Sequence, residues 1–276
     1  AYALAKAQTH PLGLYEDSET TELTGIGFPA AKGDARGTTQ PAIFNSGTRP
    51  NDSVIPTVTQ WRRPSDIFEK PTLFRDDFDV EGVIQGALDN KWLLSAINIV
   101  AGKREVLDRV FMDAEHTDKG FVIVKIYHDD PYSDDDWQVI IVDDRIPCDA
   151  SGQPVFARAA DPNSYWVMLL EKAFAKYAGT YEALEGGTVT QGLEDLTGGI
   201  GFKFDLEKDD PLQGGAKQWI PRGEEPERLW DEIIEKSSQN VVAGCSCQTK
   251  GDPRPQTTKK GIELNRSYAI VTVGDF

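Results

Sequence analysis

The run Gln85, Gly86, Ala87, Leu88, Asp89 and Asn90, leading straight into Lys91, Trp92, Leu93, Leu94, Ser95 and Ala96, constrains this chain more than any other stretch. A turn-forming segment is followed at once by Trp92, Leu93, Ala96, Ile97 and Val100, apolar positions spaced as on one face of a helix. Asn90 or Asp89 suits the N-cap, because a short polar side chain accepts from the free amides of the first turn. Gly102 is placed as a stop signal. The spacing therefore predicts a buried helix over 91–100, with a second short helix over 103–111.

Further along, 121–127 alternates as a strand and 137–142 forms another, separated by a hairpin tip carrying Asp129, Asp130, Asp134, Asp135 and Asp136. Clustered oxygens suit a calcium ion, but the tip lacks the spacing of a calcium loop and reads as a solvated turn. Residues 166–177 predict a second strong helix, with Trp166, Leu169, Leu170, Ala173, Phe174 and Tyr177 on a broad apolar stripe. Paired glycines at 186–187 and 198–199 follow, and a domain boundary is expected near Gly199. Beyond it, 226–236 reads as an amphipathic helix and 241–247 and 268–273 as strands. The expected organisation is α+β: an arm over 1–59, a helix-rich lobe over 60–199 and the first part of a strand-rich lobe over 200–276.

The arm is rich in Gly, Pro, Ser and Thr and shows no sustained period, so it cannot by itself bury enough apolar surface to offset its ordering entropy. Its scattered apolar residues Leu12, Leu14, Tyr15, Ile26, Phe28 and Ile43 leave two readings open, a disordered tail or an extended arm docked on a partner.

A net charge of -16 and a sequence pI near 4.6 argue against a nucleic-acid partner, which needs a basic stripe. The cysteines Cys148, Cys245 and Cys247 are odd in number and lack the spacing of a disulfide framework, as expected of reduced thiols in a cytosolic compartment. On a strand Cys245 and Cys247 would face the same side; ordinary core cysteines are expected there rather than a metal pair. No apolar run is long enough to span a bilayer, and no secretory signal is visible at the N-terminus. The first residue is Ala1 rather than Met, as in a fragment or a processed product.

Several motifs in order carry a family resemblance. Gln85 to Ala96 resembles the turn of the calpain-type cysteine proteases in which Gly-Asp-Cys-Trp opens a buried helix. Val142, Asp143, Asp144, Arg145, Ile146 and Pro147 look like the family's Val-Asp-Asp-Arg-Leu-Pro strand end. Tyr165 and Trp166, with Leu169 to Lys176, are similar to its Phe-Trp-x-x-Leu-Leu-Glu-Lys-Ala-Tyr-Ala-Lys helix. Tyr181 to Leu184, the Gly186–Gly187 pair and Gly192 to Gly199 extend the match, which runs from about Trp61 to the end. The resemblance implies a papain-like, α+β calpain protease core.

The same resemblance marks what is missing. Lys91 stands at the position of the nucleophilic cysteine. A thiolate is activated there by the positive end of the helix macrodipole, which has the wrong sign for an ammonium. Gln85 matches the residue that donates to the oxyanion, while Arg266, aligned through Asn265, Arg266, Ser267 and Tyr268, takes the place of the histidine base. Arginine keeps its proton and cannot serve as a general base. The orienting asparagine would follow Phe276, and His10, His116 and His128 fall far from the motif. Family members bind calcium in each half of the core. By resemblance Glu171 is the calcium-binding glutamate of the first half, Gly82 replaces its aspartate partner, and Asp77, Asp79 or Glu81 are the available substitutes.

The sequence is thus identified as a catalytically inactive calpain-like module, expected to be a structural or interaction protein with no cofactor and with protein partners, cytoskeletal or axonemal. Such family members associate with microtubules, cilia and flagella. The competing expectations are an active calcium-dependent cysteine peptidase using Cys148 or Cys245, and a module that grips peptides near Gln85 and Trp92 without cutting them.

Overall fold

A single helix, Trp166–Ala178, is enclosed on nearly every side and organises the first part of the computed structural model. The structure describes residues 13–17, 41–45, 53–74, 82–113, 115–128, 136–203, 206–208, 219–221, 226–237, 241–247, 257 and 266–270. The chain divides into two units, Ala1–Gly199 and Ile200–Phe276.

In chain order the first unit holds β1 (Gln60–Arg62), α1 (Pro64–Ile67), β2 (Val83–Ile84), α2 (Lys91–Ala101), α3 (Arg104–Val110) and β3 (Phe111–Asp113). These are followed by β4 (Phe121–Tyr127), β5 (Trp137–Asp143), β6 (Ile146–Cys148), β7 (Arg158–Ala159), α4 (Trp166–Ala178) and α5 (Val189–Thr197). β3, β4 and β5 form an antiparallel sheet whose central pairing runs from Phe121 opposite Asp143 to Tyr127 opposite Trp137. Short two-stranded pairings, β1 with β6 and β2 with β7, tie the flanking loops to this frame.

Helix α2 forms as the spacing predicts, with Leu93, Leu94, Ala96, Ile97, Ile99, Val100 and Ala101 all buried. Each large apolar side chain so enclosed contributes about 1.5–3 kcal/mol. Helix α4 departs from the expectation of an amphipathic stripe. Every residue from Trp166 to Lys176 is buried, including Glu171, Lys172 and Lys176, so polar groups sit inside and must be satisfied there. Helix α5 was not anticipated: Thr188 caps it by accepting from Gln191 N at 3.2 Å, and Gly198 ends it with φ of +67°.

Of the arm over 1–59, the described residues pack on the first unit itself, with Tyr15, Phe44 and Ile55 all buried. Ala42 bridges Thr180, and Tyr181 N and Glu182 N donate to Ala42 O and Ile43 O, both at 2.9 Å. The remaining arm residues, including Leu12, Ile26 and Phe28, lie outside the described residues, as does the tip over 129–135.

The second unit contains β8 (Leu206–Lys208) paired with β9 (Trp219–Pro221), α6 (Pro226–Ser237), and β10 (Ala243–Cys247) antiparallel to β11 (Arg266–Ile270). Cys245 on β10 is exposed, which corrects the expectation of a core cysteine; the Cys247 side chain lies outside the described residues.

Candidate functional site

The turn over 85–90 is held in shape from both sides. A methyl group on Gly86 would lie 2.2 Å from the carbonyl carbon of Phe156, so only glycine lets this backbone pass so close to the loop before α4. Next to it Ala87 N donates to Val155 O at 3.0 Å, and the buried Leu88 side chain pins the middle of the turn. Gln85 Nε2 donates to Leu88 O at 2.7 Å, so the amide that resembles an oxyanion donor is committed to bracing the turn.

Asn90 is the N-cap of α2 by position, yet its side chain does not cap. Its backbone carbonyl accepts from Leu93 N and Leu94 N at 3.0 and 3.2 Å, while Nδ2 reaches across to Glu171 Oε1 at 2.7 Å. Asn90 is fully buried and its Oδ1 finds no partner among the described residues. A capping role is thereby replaced by a tie from the turn to α4.

Glu171 answers that tie with both oxygens, Oε1 to Asn90 and Oε2 accepting from Ala157 N at 2.9 Å. Burial pushes its carboxyl up to about 7, against the pull of these two hydrogen bonds. This corrects its assignment as a calcium ligand. A carboxylate that is 1% exposed and committed to two N–H donors cannot face a hydrated cation. Gly82 adds no oxygen-bearing side chain, Asp77, Asp79 and Glu81 lie outside the described residues, and among the described residues no group of three His, Cys, Asp or Glu is placed to hold a metal ion. The residues present do not fit calcium at Glu171.

Lys91 is the first residue of α2 and is exposed. Beside it Trp92 Nε1 donates to Leu184 O at 2.7 Å, and methyl groups on Gly187 or Gly192 would lie 2.5 and 3.3 Å from its ring. The glycine-rich loop and α5 thus close over the indole, which fixes the direction in which α2 starts. Asp89 N points at Glu185 Oε1 from 3.5 Å on the same side.

The other candidates are scattered. Cys148 is fully buried on β6, donates to Ile146 O at 3.4 Å, and burial pushes its thiol up to about 11. Arg266 opens β11 opposite Cys247, with its side chain outside the described residues. His128 lies edge-on to Tyr177 at 5.8 Å between ring centroids. His10 lies outside the described residues, and of His116 only the backbone is described, in the short turn Glu115–Lys119. The functional-looking residue that sequence reasoning missed is Asp17, buried and joined to residues more than a hundred positions away. No local signal announces it.

The site is a glycine-fitted turn that delivers one exposed side chain at the start of a buried helix, within a core of helices and strands. Residues 38–276 match the calpain family cysteine protease domain, and the chain belongs to that family. It is 32% identical over 225 residues to the calpain-type cysteine protease DEK1 of Zea mays, covering 79% of this chain and 10% of that protein. Calpain-5 of Mus musculus is 34% identical over 224 residues, covering 79% and 33%, and the calpain-1 catalytic subunit of Sus scrofa is 32% identical over 213 residues, covering 76% and 27%. The chain thus spans between about a tenth and a third of the length of these relatives. Among the described residues, no helix is long and apolar enough to cross a membrane.

Proposed function

We propose that this calpain-family core has lost peptidase chemistry and works as a structural or interaction module. The observation that carries the reading is Lys91: the residue delivered by the turn to the helix start is an exposed ammonium, not a thiol. An ammonium at the positive end of a helix is neither stabilised as an anion nor able to attack a carbonyl. Gln85 supports the reading because its amide braces the turn, and Cys148 supports it because a buried thiol pushed up to about 11 supplies no thiolate at neutral pH. Arg266, at the position resembling the base, cannot accept a proton.

The purified chain, incubated with casein or a fluorogenic peptide with and without millimolar calcium, gives no cleavage on this reading. Turnover that disappears on replacing Cys148 or Cys245 would overturn it in favour of an active peptidase. The proposed setting, the cytoplasm with its cytoskeleton, cilium or flagellum, rests on family association alone. Imaging of the tagged full-length protein against tubulin tests it.

A further inference from the structure

Residues 13–17 lie in a groove that treats them as a ligand. Tyr15 packs its ring edge-on to Phe121 at 5.6 Å, in a buried cluster with Ile123 and Ile141. Its amide donates to Lys119 O at 2.7 Å, and its hydroxyl donates to Asp17 Oδ1 at 2.8 Å. Asp17 exchanges backbone and side-chain bonds with Asp143 in both directions, Asp17 N to Asp143 Oδ2 at 2.9 Å and Asp143 N to Asp17 Oδ2 at 3.2 Å. Lys176 Nζ reaches Asp17 Oδ1 at 2.7 Å with both side chains sealed from water. Arg145 donates to Asp17 O, and Arg63 donates to Tyr15 O at 3.1 Å and pairs with Glu16 at 2.9 Å.

The charges on the receiving side include Arg63 and Arg145, which meet Glu16, and Lys176, which meets Asp17. In a chain of net charge -16, an apolar floor beside these cations is complementary to an aromatic side chain followed by two carboxylates.

We propose that this groove is a peptide-binding surface which the chain fills with its own residues 13–17, and which accepts in exchange a partner segment bearing an aromatic residue followed by an acidic pair. The tethered segment competes at the high effective concentration of an intramolecular ligand, so the groove is closed to weak binders and opens to a partner when the tether or its carboxylate is lost. The specificity centre is Asp17, since a peptide that enters without this carboxylate takes away the ion-pair partner that meets buried Lys176 at 2.7 Å.

The test uses the full chain with a specific protease site inserted between residues 17 and 41, folded and then cut. A fluorescent peptide of residues 11–19 should exchange into the cut protein, with anisotropy rising to saturation. The same peptide carrying Asp17→Asn should bind on the order of a hundredfold more weakly, the loss expected when a buried ion pair is broken from one side. In a second measurement that needs no cutting, full-length protein carrying Asp17→Asn should take up the wild-type peptide more tightly than the parent chain does. Cut protein that releases its own segment yet binds no labelled peptide would overturn the proposal. So would cut protein that never exchanges, or equal uptake by the parent and Asp17→Asn chains.

Discussion

Helix α4 buries charge in two places and treats it in opposite ways. Near its C-terminal end Lys172 and Lys176 each meet a carboxylate, Asp143 and Asp17, in dry ion pairs. Immediately before Lys172, Glu171 meets no cation among the described residues and accepts from the N–H groups of Asn90 and Ala157. Burial prevails at both: it holds the Lys176 ammonium below its ordinary value although Asp17 pulls it back, and it raises the Glu171 carboxyl to about 7. Counter-charge thus fixes the arm to the lobe, while the turn that starts α2 hangs from a group that titrates near neutrality.

The comparison breaks first at the ion pair. Lys176→Ala leaves Asp17 and Asp143 buried with one fewer cation, and removing one partner of a buried pair costs about 3–5 kcal/mol. Urea unfolding of the full chain should show that loss, with a lower midpoint and little change in slope. A loss below about 1 kcal/mol, typical of an exposed pair, would mean that water reaches this site.

Glu171 sharpens the other half. Its folded value lies above its ordinary value of 4.5, so the protonated form is the one the fold prefers. The stability it contributes is fully present below about pH 4.5 and is lost as pH rises through about 7. Over that window the cost is on the order of 3 kcal/mol. Glu171→Gln mimics the protonated carboxyl and should flatten the pH dependence of the unfolding midpoint over this range. An unchanged pH profile would show that Glu171 is not the titrating group.

Smaller again is the effect expected at Gly86. An alanine methyl there would meet the Phe156 backbone, which cannot swing aside as a side chain can, so Gly86→Ala should cost about 1–3 kcal/mol by overpacking. Thermal melts of the variant and parent measure it.

What was legible in the sequence follows the range of the interactions. Helices α2 and α4 and the strands β4 and β5 are read from periodicity because neighbours in sequence share a face. Helix α5 was hidden because Gly192 and the flanking glycine pairs look like breakers; Gly192 is there because Ala96 and Trp92 of α2 approach it, which is a tertiary fact. Asn90 was legible as a helix start but not as a partner of Glu171, 81 positions away, and Asp17 carries no hint of Lys176, 159 positions away. Buried charge is illegible locally because its cost is cancelled only by the fold.

Lys91 is where the smallest change is expected, and where it teaches most. The side chain is exposed, so Lys91→Cys removes no packing and replaces a charge that opposes the helix dipole by a few tenths of a kcal/mol. Stability should stay within about 0.5 kcal/mol of the parent, as for surface positions generally. The new thiol, exposed at a helix start, should react with iodoacetamide where buried Cys148 does not. On the proposed reading, in which Arg266 stands at the position of the base, it should still turn over no peptide, because an arginine neither takes the thiol proton nor returns one to the leaving amine. Multiple turnovers by this single variant would reveal a surviving base and return the chain to the enzymes. Alkylation without turnover would support the reading that the turn still presents the side chain at position 91 while the peptidase chemistry is absent.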